Sequence, residues 1–240
     1  MLITTPAIVF KSIKYKESSL ILDIYTREKG LRKYIISGVR KAKARTPASL
    51  LQLMNLVEIV AYEREDREMN RLKEVRLARP YHQLPFDLKR GTLGLFLLEM
   101  TRKSVQEREA NPALFDYLFD SFCFLDDTGN SVANLHLHFL LGLSHFLGFL
   151  PVGDWSLATP LFDLREGYFI GELPGHQDYL TEEEAQLLYT LLHLERERVH
   201  DLPLNRISRQ KLLSALVSFY RFHVPGLGEI NSLKVLKEIM

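Results

Sequence analysis

A change of hydrophobic period near residue 80 constrains this chain more than any other feature. From Ala7 to Ala78 apolar residues tend to recur at every second position, the spacing of strands; beyond the Pro80 to Pro85 stretch they recur about every 3.6 positions, the spacing of helices. One sheet or one bundle cannot satisfy both patterns. The sequence therefore predicts an α+β chain of two domains, a barrel over 1–80 and a mainly α-helical domain over 81–240. The first strand is expected over Ala7 to Tyr15. Leu20, Leu22 and Ile24 alternate with Ile21, Asp23 and Tyr25 in a second, and after the Arg27-Glu28-Lys29-Gly30 turn a third runs to Gly38. Leu50 to Tyr62 reads as one long fourth strand, and Arg71 to Ala78 as a fifth beyond a charged tip. Five short antiparallel strands without long helices in about 80 residues match a small closed barrel of the oligonucleotide-binding (OB) type.

The helical part is punctuated by its caps. Phe86 to Val105 places Leu93, Phe96, Leu97 and Met100 on one face, and Asn111-Pro112 opens the next helix with a cap and a proline. Another is expected from Val132 to Leu147. Gly148 to Leu173 breaks the pattern with Pro151, Gly153, Trp155 and Pro160, and a small β-hairpin is predicted near 161–173, turning at Gly167. Thr181 with Glu184 forms a capping box, and two last helices follow over Arg206 to His223 and Ser232 to Ile239.

Charge divides at the same place. Residues 1–80 carry 17 basic and 9 acidic side chains, a balance of +8, while residues 81–240 carry 14 and 21, a balance of −7. Between Arg27 and Arg45 eight basic residues (Arg27, Lys29, Arg32, Lys33, Arg40, Lys41, Lys43 and Arg45) face one acid, Glu28. A field of this density suits a polyanion, and the interleaved rings Tyr15, Tyr25 and Tyr34 offer stacking surfaces for unpaired bases. Alternation alone leaves each ring on either the core or the outer face of its strand.

No enzyme signature accompanies the block. Gly148 to Asp154 has the glycine spacing of a phosphate loop but Asp154 where the lysine belongs. His136 and His138 face different sides of a helix, and His138 and His145 have no carboxylate or thiol at ligand spacing between them, so neither a metal nor another cofactor is expected. Glu182, Glu183 and Glu184 sit in a first helical turn, where the helix dipole favours acids. The single Cys123 lies among Phe122, Phe124 and Leu125 and reads as a buried thiol. It permits no internal disulfide, the N-terminal stretch lacks a charged segment followed by a long apolar core, and no apolar run reaches the roughly 18 residues of a membrane span. The expected location is the cytoplasm, with the nucleoid.

Ordered along the chain, Ile8-Val9-Phe10-Lys11, Glu17-Ser18-Ser19-Leu20, Tyr25 to Gly30, Ser37-Gly38-Val39-Arg40-Lys41 and Leu50-Leu51-Gln52-Leu53 resemble the barrel of the RecO recombination-mediator family. Phe219 to His223 followed by Ser232 to Leu236 resembles that family's last helices, so the resemblance spans essentially the whole chain. It implies a non-enzymatic DNA repair and recombination protein that binds single-stranded and duplex DNA, anneals complementary strands, and partners RecR and the single-stranded DNA-binding protein. Many members hold zinc on paired CxxC cysteines just after the helix that ends here at Leu147. This chain has no cysteine there, so the zinc is not carried over.

The phosphate contacts are expected from the eight basic residues above, with Tyr34 as a stacking ring. A basic rim of Arg206, Arg209, Lys211 and Arg221 is expected to take an acidic, apolar peptide tail of a partner protein. Two other classes stay open at this point: an OB-fold RNA-binding protein, and an adaptor whose basic face meets an acidic protein.

Overall fold

The structure, a computed structural model, describes residues 1–39, 44, 46–64, 67–105 and 109–239. In chain order the elements are β1 (Leu2–Tyr15), β2 (Ser19–Thr26), β3 (Gly30–Ile36), β4 (Leu56–Tyr62), β5 (Met69–Arg79), α1 (Leu88–Ser104), α2 (Pro112–Asp127) and α3 (Leu135–Phe146). Then come β6 (Leu161–Asp163), β7 (Tyr168–Ile170), β8 (Tyr179–Leu180), α4 (Glu182–His193), α5 (Arg206–His223) and α6 (Ser232–Ile239).

Strands β1 to β5 close into a barrel in the order β1-β2-β3-β5-β4, the OB arrangement. Alternation drives it: Ala7, Val9, Leu22, Ile24, Tyr34, Val57, Ile59 and Ala61 point inward and are fully enclosed. A register shift between Val9 and Lys11 bends β1, so that its first half pairs with β4 and its second with β2. The expected five antiparallel strands are corrected at one seam. There β3 meets β5 in parallel, through the pairs Lys33 with Met69, Tyr34 with Asn70 and Ile35 with Arg71.

The expected long fourth strand is corrected too, because only Leu56–Tyr62 is extended. Ala48–Leu51 coils into a short 3₁₀ turn that drops Leu51 into the barrel core, and Met54 takes a left-handed φ of 71°. Leu51 thus plugs an end that a straight strand would have left open. Mutual backbone bonds between Val9 and the Met54-Asn55 pair hold the plug in place.

The described residues form two compact units, and their boundary is not a single cut at residue 80. Helix α2 belongs with the barrel and the segment up to Asp87, while α1 joins the residues from Thr128 onward. Phe10 and Tyr25, on the outside of the barrel, stack at 5.3 Å, and Phe115 of α2 covers Tyr25 at 6.2 Å. The enclosed Asp126 carboxylate accepts the backbone N–H groups of His82, Gln83 and Leu84 at 2.7–3.1 Å. Burial by itself would raise this carboxyl, but the three N–H donors overcome it and hold the group below its ordinary range.

In the second unit α1 buries Leu93, Phe96, Leu97 and Met100 against α3 and α6, as the sequence spacing requires. The Glu99 side chain caps α6, accepting Asn231 N–H (3.1 Å), Ser232 N–H (2.8 Å) and the Ser232 hydroxyl (2.6 Å). The predicted hairpin is present as β6 and β7, with Gly167 at its turn (φ 82°) and β8 added on the other side of β6. Among the described residues no helix is long and apolar enough to cross a membrane.

Candidate nucleic-acid interface

Strand pairing places the outward side chains of the barrel in rows. Ile13, Ile21, Ile35, Arg71 and Tyr62 stand side by side across β1, β2, β3, β5 and β4, and Lys11, Asp23, Lys33 and Met69 form the next row. Ile13 and Tyr62 are exposed. Where the first row crosses from β3 to β5 the surface deepens into a groove of about 830 Å³. Its walls are the end of β3 through Gly38, the β4–β5 connection with Arg64 and Arg67, and the start of β5 with Arg71 and Lys73. Glu63 and Asn70 line the floor.

The electrostatics of the groove follow from who is paired with whom. Lys73 approaches Glu74 at 3.9 Å, but Arg64, Arg67 and Arg71 have no carboxylate within ion-pair distance among the described residues. The Glu63 carboxylate is occupied from below by the Tyr34 hydroxyl and by the Asn70 amide (2.7 Å). Exposed guanidinium groups along an open trough can follow a phosphodiester backbone, and Tyr62 and Tyr15, 49% and 41% exposed, can stack on bases.

The basic residues expected from the sequence meet different fates. Arg40, Lys41, Lys43 and Arg45 lie outside the described residues; Gly38 and Thr46 line the groove, while Val39 between Gly38 and Arg40 is buried in the barrel core. Lys33 is exposed in the second row, beside Asp23. Arg32 is half-buried and donates to the Leu31 carbonyl (3.1 Å). Lys29 sits in the β2–β3 turn, at the opposite end of β3 from Gly38, about 20 Å away for a strand of this length.

Arg27 forms a bidentate pair with Asp116 of α2, with Nε and a terminal nitrogen both at 2.8 Å. The hydrogen bonds and charge of Asp116 raise the arginine and lower the aspartate relative to their ordinary values, so this cation is already neutralised. Tyr34 is corrected outright. It is fully enclosed in the barrel, and burial together with the Glu63 hydrogen bond pushes its hydroxyl well above the ordinary tyrosine range, so no base can reach the ring.

Sequence reasoning missed Arg64, Arg67, Arg71 and Lys73 because Glu63, Glu65, Asp66, Glu68 and Glu74 cancel them in any net-charge count. The signal was strand alternation, which puts Arg71 and Lys73 on one face of β5. Glu65 and Asp66 lie outside the described residues.

In the second unit the four arginines and lysines of the expected peptide rim are not brought together. Arg206 donates to the Lys237 and Glu238 carbonyls (2.9 and 3.1 Å), closing the last turn of α6. Arg209 donates to Asn134 Oδ1 (3.0 Å) and the Leu204 carbonyl (2.9 Å); burial first, and Arg206 second, lower its guanidinium. Lys211 borders a shallow groove of about 430 Å³ with Ile207, Gln210, Ser214, Lys237 and Glu184. Arg221 is exposed ten residues further along α5, about 15 Å away. Among the described residues no three His, Cys, Asp or Glu side chains are grouped to hold a metal ion.

Comparison with known proteins adds the lineage. Residues 1–81 match the family description "Recombination protein O N terminal", and residues 85–233 match "Recombination protein O C terminal". The chain belongs to the RecO family. Curated relatives named DNA repair protein RecO resemble it from end to end. The one from Christiangramia forsetii is 38% identical over 242 residues, and the one from Bacteroides fragilis is 34% identical over 240. That from Phocaeicola vulgatus is 33% identical over 239 residues, and in all three the match covers 100% of this chain and 99% of the relative. The barrel and its groove thus lie in the N-terminal part of a RecO-family chain, and the shallow groove beside Lys211 in the C-terminal part.

Proposed function

We propose that this RecO-family chain acts in DNA repair and recombination as a mediator without bond-making chemistry. It binds single-stranded DNA across the barrel, anneals complementary strands, and helps load a recombinase with RecR onto DNA coated by the single-stranded DNA-binding protein. One observation carries this reading: the groove with Arg64, Arg67 and Arg71 unopposed by described carboxylates, whose lining also includes Gly38 and Thr46. Phosphates held there lose their mutual repulsion, and released counterions favour the bound state, so two strands can approach without sequence specificity. Contact with duplex DNA follows from the same backbone electrostatics. For a partner's acidic, apolar tail, the Lys211 and Lys237 groove with Ile207 at its edge is the better-supported seat than the four-residue rim.

The test is titration of labelled single-stranded DNA, duplex DNA and structured RNA with the full chain at several salt concentrations. Replacing Arg67 and Arg71 together by Ala is expected to weaken single-strand binding about tenfold and to flatten the slope of log affinity on log salt by about 1.4, or 0.7 per phosphate. The weakening should be the same for unrelated sequences. Tighter binding of structured RNA than of single strands favours the RNA-binding alternative, and an unchanged slope favours the protein-binding adaptor.

A further inference from the structure

The barrel closes at its weakest place. The β3–β5 seam is parallel and short, with the pairs Lys33–Met69, Tyr34–Asn70 and Ile35–Arg71, and it lies directly beneath the groove. Across this seam runs a buried chain of polar groups. Glu63, at the end of β4, accepts the Tyr34 hydroxyl on one carboxylate oxygen and the Asn70 amide on the other. The Asn70 side-chain Oδ1 in turn accepts the backbone N–H of Arg64 (3.1 Å), and the Glu63 backbone N–H donates to the Met1 carbonyl (2.8 Å). All of Tyr34, Glu63 and Asn70 are buried.

The arrangement joins the barrel interior to the entry and exit of the β4–β5 connection, which carries Arg64 and Arg67. As a charge, Glu63 opposes binding, since a carboxylate in the floor repels phosphate and is costly to bury. As geometry it does the reverse: fully bonded buried networks fix a single arrangement of the backbone they touch.

We propose that Glu63, acting through Tyr34 and Asn70, is a positioning residue for nucleic-acid binding, holding the backbone at the end of β4 and the start of β5 so that Arg64 and Arg67 face the groove. This rests on the single-strand reading above. The charge role and the geometric role give opposite signs, which makes them separable. Tyr34→Phe removes one hydrogen bond and no charge. It is expected to weaken single-strand binding several-fold, about three- to tenfold, and to flatten the salt slope by about 0.7 as one phosphate contact is lost. Glu63→Gln removes a negative charge from beneath a polyanion site and is nevertheless expected to weaken binding by a similar factor.

The measurement is oligonucleotide titration of the full chain at several salt concentrations, alongside thermal unfolding, with the Arg67 and Arg71 double substitution as the reference. Tighter binding by Glu63→Gln overturns the proposal, as does an affinity and slope unchanged in Tyr34→Phe while its thermal midpoint falls, because the network is then only structural. Tyr34→Phe decides the matter alone where Glu63→Gln does not fold. A parent chain that ignores single strands, or a double substitution without effect, sinks the single-strand reading itself, and that failure is distinct from intact reference behaviour with silent network variants.

Discussion

The flank of the barrel under α2 and the groove at the β3–β5 seam use the same side chains, arginines and tyrosines, to opposite ends. On the flank Arg27 meets Asp116 and Arg79 meets Asp127, while Tyr25 is stacked between Phe10 and Phe115. At the groove Arg64, Arg67 and Arg71 face solvent without a described carboxylate partner, and Tyr34 has turned inward to donate to Glu63. The comparison teaches that a basic, tyrosine-rich stretch does not declare its role by composition. Partners supplied from elsewhere in the chain decide which cations hold the fold together and which remain available to a ligand.

The sharpest way to break that comparison is to unseal the flank and ask whether the groove notices. Phe115 is enclosed against Tyr25, so Phe115→Ala is expected to cost about 3–5 kcal/mol of stability through lost burial and a cavity. Chemical denaturation measures it. Single-strand affinity of the folded protein should stay within about twofold, since no groove charge changes. A parallel collapse of affinity in fully folded protein would mean that flank and groove act as one surface.

The second unit supplies a comparison of its own, because it also encloses a polar ring, one without a hydrogen-bond partner for either nitrogen among the described residues. His136 is fully buried on α3, edge-on to Phe96. Burial, with a smaller contribution from the positive Arg209, lowers its pKa from 6.5 to about 3. Between those values the unfolded chain binds a proton that the folded chain does not. The stability it confers is therefore complete above pH 6.5 and is lost on acidification at about 1.4 kcal/mol per pH unit. His136→Leu is expected to remove about 2 kcal/mol of the loss seen between pH 7 and pH 5. Urea unfolding of both proteins at the two pH values checks this; an equal loss in the variant would show that other groups carry the acid sensitivity.

How far the sequence foretold these regions depends on whether the deciding contact was local. Helices α5 and α6 begin and end where their caps and periodicity placed them, and the Thr181 capping box is made, with Thr181 N–H bonded to Glu184 at 3.2 Å. The OB-type strand order followed from alternation and turn spacing, except where distant segments intervened. Leu50 to Met54 has no period of its own, and the need to plug the barrel curled it into a 3₁₀ turn instead of a strand. The parallel β3–β5 seam joins segments with no sequence signal for each other. Tyr34 could face either way by alternation, and Glu63, far along the chain, settled it. Arg27 looked like the start of a ligand surface because nothing nearby foretold Asp116 on α2. Four of the residues on which the basic block depended, Arg40, Lys41, Lys43 and Arg45, lie outside the described residues.

The smallest expected effect sharpens the comparison most, because it sets one arginine against the others on the same barrel. If pairing decides role, Arg27 is a clasp for α2 and contributes little to DNA binding despite belonging to the densest basic stretch of the chain. Exposed ion pairs add little to stability, so Arg27→Ala should move the thermal midpoint by no more than about 2 °C. The salt slope for single strands should change by less than the 0.7 or so of one phosphate contact, whereas the Arg67 and Arg71 double substitution changes it by about twice that amount. Asp116→Ala makes the converse test. It frees the Arg27 guanidinium without altering the groove, and should leave the slope unchanged if the flank lies off the path of the strand. A slope that steepens by about one phosphate in Asp116→Ala, or flattens by as much in Arg27→Ala, would place Arg27 on that path after all and extend the interface from the groove toward the β2–β3 turn.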